Sequence, residues 1–194
     1  MKLLEQTGLL MRITHSSGIA RRYFVVNGFD GALTMLGLIL GFIFSSPTEL
    51  SVIISACMGA AIALGMSGVS SAYVSEAAER QRELSKLEEA MVTNLQESIH
   101  AEAVHWVPML IALINGLAPF VISLIILTPL WVANEGINLP TPPLHASVVI
   151  ALSLVFLLGV YLGRISGISL LRSGIQTMFI ALITAIFIYL FVGN

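Results

Sequence analysis

The placement of charge constrains this chain more than any other feature. All nine lysines and arginines fall in three clusters: Lys2, Arg12, Arg21 and Arg22; Arg80, Arg82 and Lys86; Arg164 and Arg172. Around them lie five apolar stretches, 24–44, 50–73, 107–127, 146–163 and 173–192. Each is close to the ~20 residues a helix needs to cross a bilayer. Hydrophobic residues make up 57% of the chain and charged residues 10%. A soluble domain has about 45–50% and about 25%. A protein of 194 residues cannot hide that much apolar side chain from water. A soluble globular domain and a disordered chain are therefore excluded. Nine basic against eleven acidic residues leave no footprint for nucleic acid. The lone Cys57 excludes an internal disulfide and a paired-cysteine metal site.

Basic residues stay on the cytoplasmic side of a membrane. The three clusters occupy alternate connections, and the other connections, 45–49 and 128–145, carry none. The expected fold is all-α: a polytopic membrane protein of five helices, N-terminus in the cytoplasm and C-terminus outside. A short cytoplasmic helical hairpin would join spans 2 and 3. The chain divides into a cytoplasmic arm (1–20), spans 1 and 2 (21–73), an acidic cytoplasmic region (74–106) and spans 3 to 5 (107–194). The N-terminal segment does not read as a secretory signal, because Glu5, Gln6 and Arg12 interrupt its apolar run. The outside loop, with four prolines and Trp131 as an interface anchor, reads as a connector.

Region 74–106 holds Glu76, Glu79, Glu83, Glu88, Glu89, Glu97 and Glu102, with His100 and His105. It contains no proline or glycine, so helix is the default. Ser85-Lys-Leu-Glu88 and Asn94-Leu-Gln-Glu97 have capping-box spacing. They predict three pieces: 74–84, 86–92 and 95 onward. Glu76, Glu79 and Glu83 recur at one helical face. Glu97-x-x-His100 and Glu102-x-x-His105 set carboxylate and imidazole on one face, as in helical di-metal sites. That donor set suits Fe²⁺, Mn²⁺ or Zn²⁺ better than Ca²⁺. The plainer alternative is a solvated amphipathic hairpin.

Within the spans, Asp30 is the only aspartate of the chain. An ionisable group there costs at least about 2.5–3.5 kcal/mol to insert and marks a functional candidate. Its setting, Asn27-Gly-Phe-Asp30-Gly31, leaves room for close approach of backbone or ion. The alternative is a structural aspartate bonded to a neighbouring helix. Met35, Met66, Cys57 and Met58 offer soft sulfur, though methionine in an apolar helix usually packs. Gly37-x-x-x-Gly41 and Gly159, Gly163 and Gly167 have the spacing of helix contacts. Asn115-Gly-Leu-Ala-Pro119 disturbs span 3, since Pro119 has no N–H for the carbonyl of residue 115. A loosened polar turn lines a cavity or packs in protein.

Taken in order, these motifs resemble the vacuolar iron transporter family. The carriers are 22–41 with Asn27-Gly-Phe-Asp30-Gly31 and Leu36-Gly37-Leu38, then Ser75-Glu76-Ala77 and Arg82-Glu83-Leu84, then Gly116-Leu117-Ala118-Pro119. The resemblance implies a proton-coupled antiporter exporting Fe²⁺ or Mn²⁺ from the cytoplasm, a homodimer with its ion path between the first two spans. Asp30 would be the intramembrane ligand and proton carrier, and Glu76, Glu83 and Glu97 would collect metal. This chain lacks the family's second-span acid and has a shorter cytoplasmic region, the mark of a divergent member in a prokaryotic cell membrane. The overall expectation is a metal transporter in the lipid bilayer that is not an enzyme and uses no organic cofactor. Its transport residues would be Asp30, Asn27, Met35, Met66 and Asn115. Its metal ligands would be Asp30, Glu76, Glu79, Glu83, Glu97, His100 and Glu102. The competing reading is a membrane-embedded scaffold whose hairpin binds a protein partner. An enzyme is the weakest reading, because no span pairs a nucleophile with a base.

Overall fold

The computed structural model describes residues 16–45, 49–92 and 99–193, and of 16–17 and 99–103 the backbone alone. They form five helices: α1 (Ser16–Phe44), α2 (Leu50–Met91), α3 (Ile99–Asn134), α4 (Pro143–Ser166) and α5 (Leu170–Val192). All five are long and apolar enough to cross a membrane. Lipid offers no hydrogen bonds, so a spanning backbone must satisfy itself, and helices do this internally. The chain is an all-α integral membrane protein, as its apolar runs require.

α2 departs from the expected division. It runs unbroken for 42 residues, about 63 Å at 1.5 Å per residue, roughly twice the ~30 Å hydrocarbon core. No helix starts at Ser85. An N-cap serine accepts a bond from an N–H two or three residues on and needs non-helical backbone. Ser85 Oγ instead donates back to the Gln81 carbonyl at 3.1 Å, the habit of a mid-helix hydroxyl. The separate piece 86–92 therefore does not exist. The second box, Asn94 to Glu97, lies outside the described residues. α2 ends at Met91 and is followed by Val92, whose φ of 51° is left-handed, a region β-branched residues rarely enter.

The helices contribute to two compact units. One comprises 25–64 and 118–194. Its core gathers Met35, Leu36, Ile39, Cys57, Ile126 and Leu130, each almost wholly buried. Small residues set how closely its helices pack. A Cβ added at Gly31 would stand 2.7 Å from the Pro119 backbone. Cβ atoms at Gly159 and Gly163 would run into Thr177 and Ser173. Thr177 Oγ1 uses that closeness to donate to the Val155 carbonyl at 3.1 Å. The Gly37–Gly41 pair marks no such approach: a Cβ at Gly41 would meet nothing within 4 Å. Gly167 does not extend the Gly159–Gly163 stripe either. It stops α4 at φ 69°, with its N–H on the Gly163 carbonyl, a left-handed glycine stop.

The other unit comprises the chain up to Phe24 together with 65–117. Val107 and Ile111 of α3 are fully buried, with Ile19 and Tyr23 of α1 packed against them. Gly116 faces the Gly65 carbonyl and Val69, where a Cβ would collide. α3 runs without a break through Pro108 and Pro119, both fully buried.

These contacts separate two glycines of one helix. Gly31→Ala must displace the Pro119 backbone and is expected to cost about 1–3 kcal/mol. Gly41→Ala should stay within about 0.5 kcal/mol of wild type. Thermal melts in detergent check this, and equal Tm values for the two variants would refute the assignment.

Candidate functional site

Asp30 owes its orientation to its neighbours in sequence. Gly28 and Gly31 face inward, the first toward Leu158 and the second onto Pro119. The space beside those glycines is filled by protein, not left for an ion. With that side of α1 packed, Asp30 lies on the exposed side together with Val26 one turn earlier. Among the described residues its carboxylate has no hydrogen-bond or ion-pair partner. Met35, five residues on, is fully buried in the core and acts as packing. Asn27 is partly buried, and Met66 of α2 is 61% exposed.

Asn115 does not open a cavity. It is buried, and its Nδ2 donates to the Gly68 carbonyl at 2.7 Å. Gly68 is tight in return: a Cβ there would sit 3.0 Å from the Asn115 carbonyl oxygen, the acceptor that Pro119 cannot serve. Asn115 fastens α3 to α2.

The acids of α2 are more sharply sorted than their spacing suggests. Ala72, Glu76, Arg80 and Leu84, four apart, form one buried stripe. Arg80 lies between two carboxylates. Its Nη1 donates to Glu83 Oε2, and its Nη2 stands 3.7 Å from Glu76 Oε2. Tyr23 of α1 donates its hydroxyl to the other oxygen, Glu76 Oε1, at 3.3 Å. Glu79, expected beside Glu76 and Glu83, is exposed and outside this network. Glu97 lies outside the described residues, and of His100 and Glu102 only the backbone is described. Among the described residues no three His, Cys, Asp or Glu gather closely enough to hold a metal ion.

Arg80 and Tyr23 are the residues that sequence reasoning passes over. The signal is present, because Glu76, Arg80 and Glu83 stand at i, i+4 and i+7, where opposite charges on a helix meet. As one of nine basic residues, Arg80 serves the topology argument and draws no notice as a partner of the acids beside it.

The polar fastening is testable. In membrane bundles such a bond is worth about 0.6–2 kcal/mol. Asn115→Ala should lower the Tm in detergent by that scale, while the exposed Glu79→Gln leaves it unchanged. A melt for Asn115→Ala that overlays wild type would remove the residue from the fold's supports.

No family model matches the chain. A protein of Methanocaldococcus jannaschii, the uncharacterised MJ0645, is 30% identical to it over 172 residues, which covers 87% of this chain and 86% of that one.

Proposed function

The chain belongs to the family of MJ0645 of Methanocaldococcus jannaschii, and we propose that it exports divalent transition metal, Fe²⁺ or Mn²⁺, from the cytoplasm in exchange for protons. The observation that carries this reading is Asp30. It is an exposed carboxylate in the middle of a helix apolar enough to span the membrane, without a partner among the described residues. An ionised carboxylate has acceptor oxygens and no hydrogen to give. In a bilayer it is tolerated where a cation, a proton, water or a second subunit meets it. The resemblance of its surroundings to the vacuolar iron transporter family supplies the cargo.

The α2 extension, 74–91, stands in the cytoplasm in this reading, since Arg80, Arg82 and Lys86 lie on it. Glu79 and Glu83, with Glu97, His100 and Glu102 further along the sequence, recruit the metal, and Glu76 receives it. A homodimer is supported by the outer face of α2, where Ser51, Ser55, Gly59 and Ala63 recur every fourth residue and all are exposed. Small residues at that spacing let two helices approach closely. Two Asp30 carboxylates near the two-fold axis would then share protons and metal.

Exposed Leu87, Met91 and Val92 at the end of α2 favour the second reading, a scaffold whose cytoplasmic extension docks a protein partner. It predicts no response to metal.

Proteoliposomes loaded with a metal-sensing dye decide between the two. Wild type should show Mn²⁺ flux that depends on a pH gradient, and Asp30→Asn should abolish it. Flux that survives Asp30→Asn unchanged would sink the mechanism. Cysteine cross-linking tests the dimer, helped by the burial of the lone native Cys57. Ala63→Cys should give a disulfide-linked dimer on mild oxidation while wild type remains monomeric on the gel.

A further inference from the structure

We propose that the α4–α5 hairpin docks one anionic phospholipid, its phosphate on Arg164 and an acyl chain in the groove below it. The proposal is independent of the metal reading and concerns a face of the protein which that reading does not use.

Charge is the first observation. No acidic side chain follows Glu135 in the sequence, yet Arg164 stands in the last turn of α4 and Arg172 in the first turn of α5. Both are exposed, and neither has a hydrogen bond or ion pair among the described residues. Arg80 of α2, by contrast, has Glu76 and Glu83 beside it. This end of the hairpin therefore carries positive charge that the protein does not neutralise. The neighbours of the arginines say which anion fits. Ile165, Ile168 and Leu171 around the same turn are all exposed. Such a mixture suits the edge of a bilayer, where arginine lays its stem along apolar surface and keeps its head at the polar boundary. The anion at that boundary is a lipid phosphate, which a guanidinium can bind through two parallel hydrogen bonds.

The groove is the second observation. A space of about 440 Å³ is lined by Val149, Leu152, Ser153, Phe156 and Leu157 of α4 and Met178 of α5. That volume is within the ~300–1,000 Å³ of ligand pockets. Ser153, its one polar lining residue, donates its hydroxyl to the Val149 carbonyl, so the walls ask nothing polar of an occupant. Gly174 lets the Phe156 ring lie against α5, where a Cβ would stand 2.6 Å from it. The groove is also in line with the charge. Val149, Ser153, Phe156, Val160 and Arg164 recur at intervals of three or four residues, which keeps them on one face of α4. At 1.5 Å per residue, Leu157 lies about 10 Å and Val149 about 22 Å from Arg164 along the axis. Headgroup to midplane is about 20 Å, half the thickness of a bilayer with its headgroups. An acyl chain hanging from a phosphate on Arg164 thus runs to the depth of the groove. Arg172 adds its charge at the same end.

The test uses the full chain in detergent. Phosphatidylglycerol is the anionic probe, and phosphatidylcholine with the same acyl chains is the probe without net charge. Native mass spectrometry reads the lipid retained, and thermal melts read the stabilisation. Wild type should retain phosphatidylglycerol in preference to phosphatidylcholine and gain Tm from it. Arg164→Gln should weaken phosphatidylglycerol binding about fivefold, the weight of one basic residue at an anionic membrane surface. Arg82→Gln, likewise at an exposed position, should leave it unchanged. Ser153→Phe keeps both arginines but fills the groove, and it should weaken binding too. Equal retention of the two lipids overturns the proposal, as does an Arg164→Gln variant that binds like wild type. Full retention by Ser153→Phe overturns it as well, since the charge would then act without the groove. Glycerol phosphate that raises Tm as much as phosphatidylglycerol would assign the arginines to a free phosphate. A disulfide-linked dimer of Ser153→Cys on mild oxidation would assign the groove to a second copy. Either result overturns the lipid, and none of them bears on Mn²⁺ flux through Asp30.

Discussion

The structure depends on one requirement: inside a bilayer every backbone N–H and C=O must find its partner within protein. Five helices answer it almost everywhere. Pro119 is where the answer is incomplete, because it leaves the Asn115 carbonyl without its helical donor. The chain places a close helix crossing there. Asn115 sends its amide to the Gly68 carbonyl, and Gly68 in turn lies close against the Asn115 carbonyl. Gly116 fits beside Gly65 and Val69 where any side chain would collide. Within the other unit, the backbone of Pro119 itself is the surface on which Gly31 rests. A defect in one helix has become a point of attachment in each unit.

That arrangement fixes what Asp30 can do. Gly31 cannot leave Pro119 without opening a gap, and Gly28 is held toward Leu158. With the packed side of α1 fixed on both sides of residue 30, the carboxylate is committed to the outer side. The glycines around an intramembrane acid are easily read as space for an ion. Here they are the most closely packed glycines of the helix, and their packing is what presents the acid.

The spans are legible in the sequence because their signal is local: a run of apolar residues long enough for a bilayer needs no knowledge of its neighbours. The α2 extension is only half legible. Helix follows from the absence of glycine and proline, but the break at Ser85 cannot be decided. Serine followed three residues later by glutamate satisfies a helix start and a helix interior equally. Glycine spacing fails for a related reason. Gly31, Gly37 and Gly41 are the same residue on the same helix, and only the partner decides which is crowded. Glu76, Glu79 and Glu83 share helical spacing, but only Glu76 and Glu83 meet, through Arg80.

The remaining polar groups of the spans separate by what they can donate. Ser55, Ser123, Ser153 and Thr184 each donate to the carbonyl one turn back, and the Thr177 hydroxyl is within reach of one carbonyl on its own helix and one on α4. Ser147, buried without a partner, is the exception among the described residues. A hydroxyl can be hidden this way because a helix always has carbonyl lone pairs to spare. A carboxylate cannot, because it needs donors, and the amide N–H groups of the helix interior are already committed to their own ladder. Among the described residues, Asp30 is thus the one charged side chain in the middle of a span whose needs the local backbone cannot meet. Whatever satisfies it must arrive from outside the helix, as a proton, as a cation or with a second copy of the chain. Those are the three things that the proposed exporter, acting as a dimer, would bring to one point.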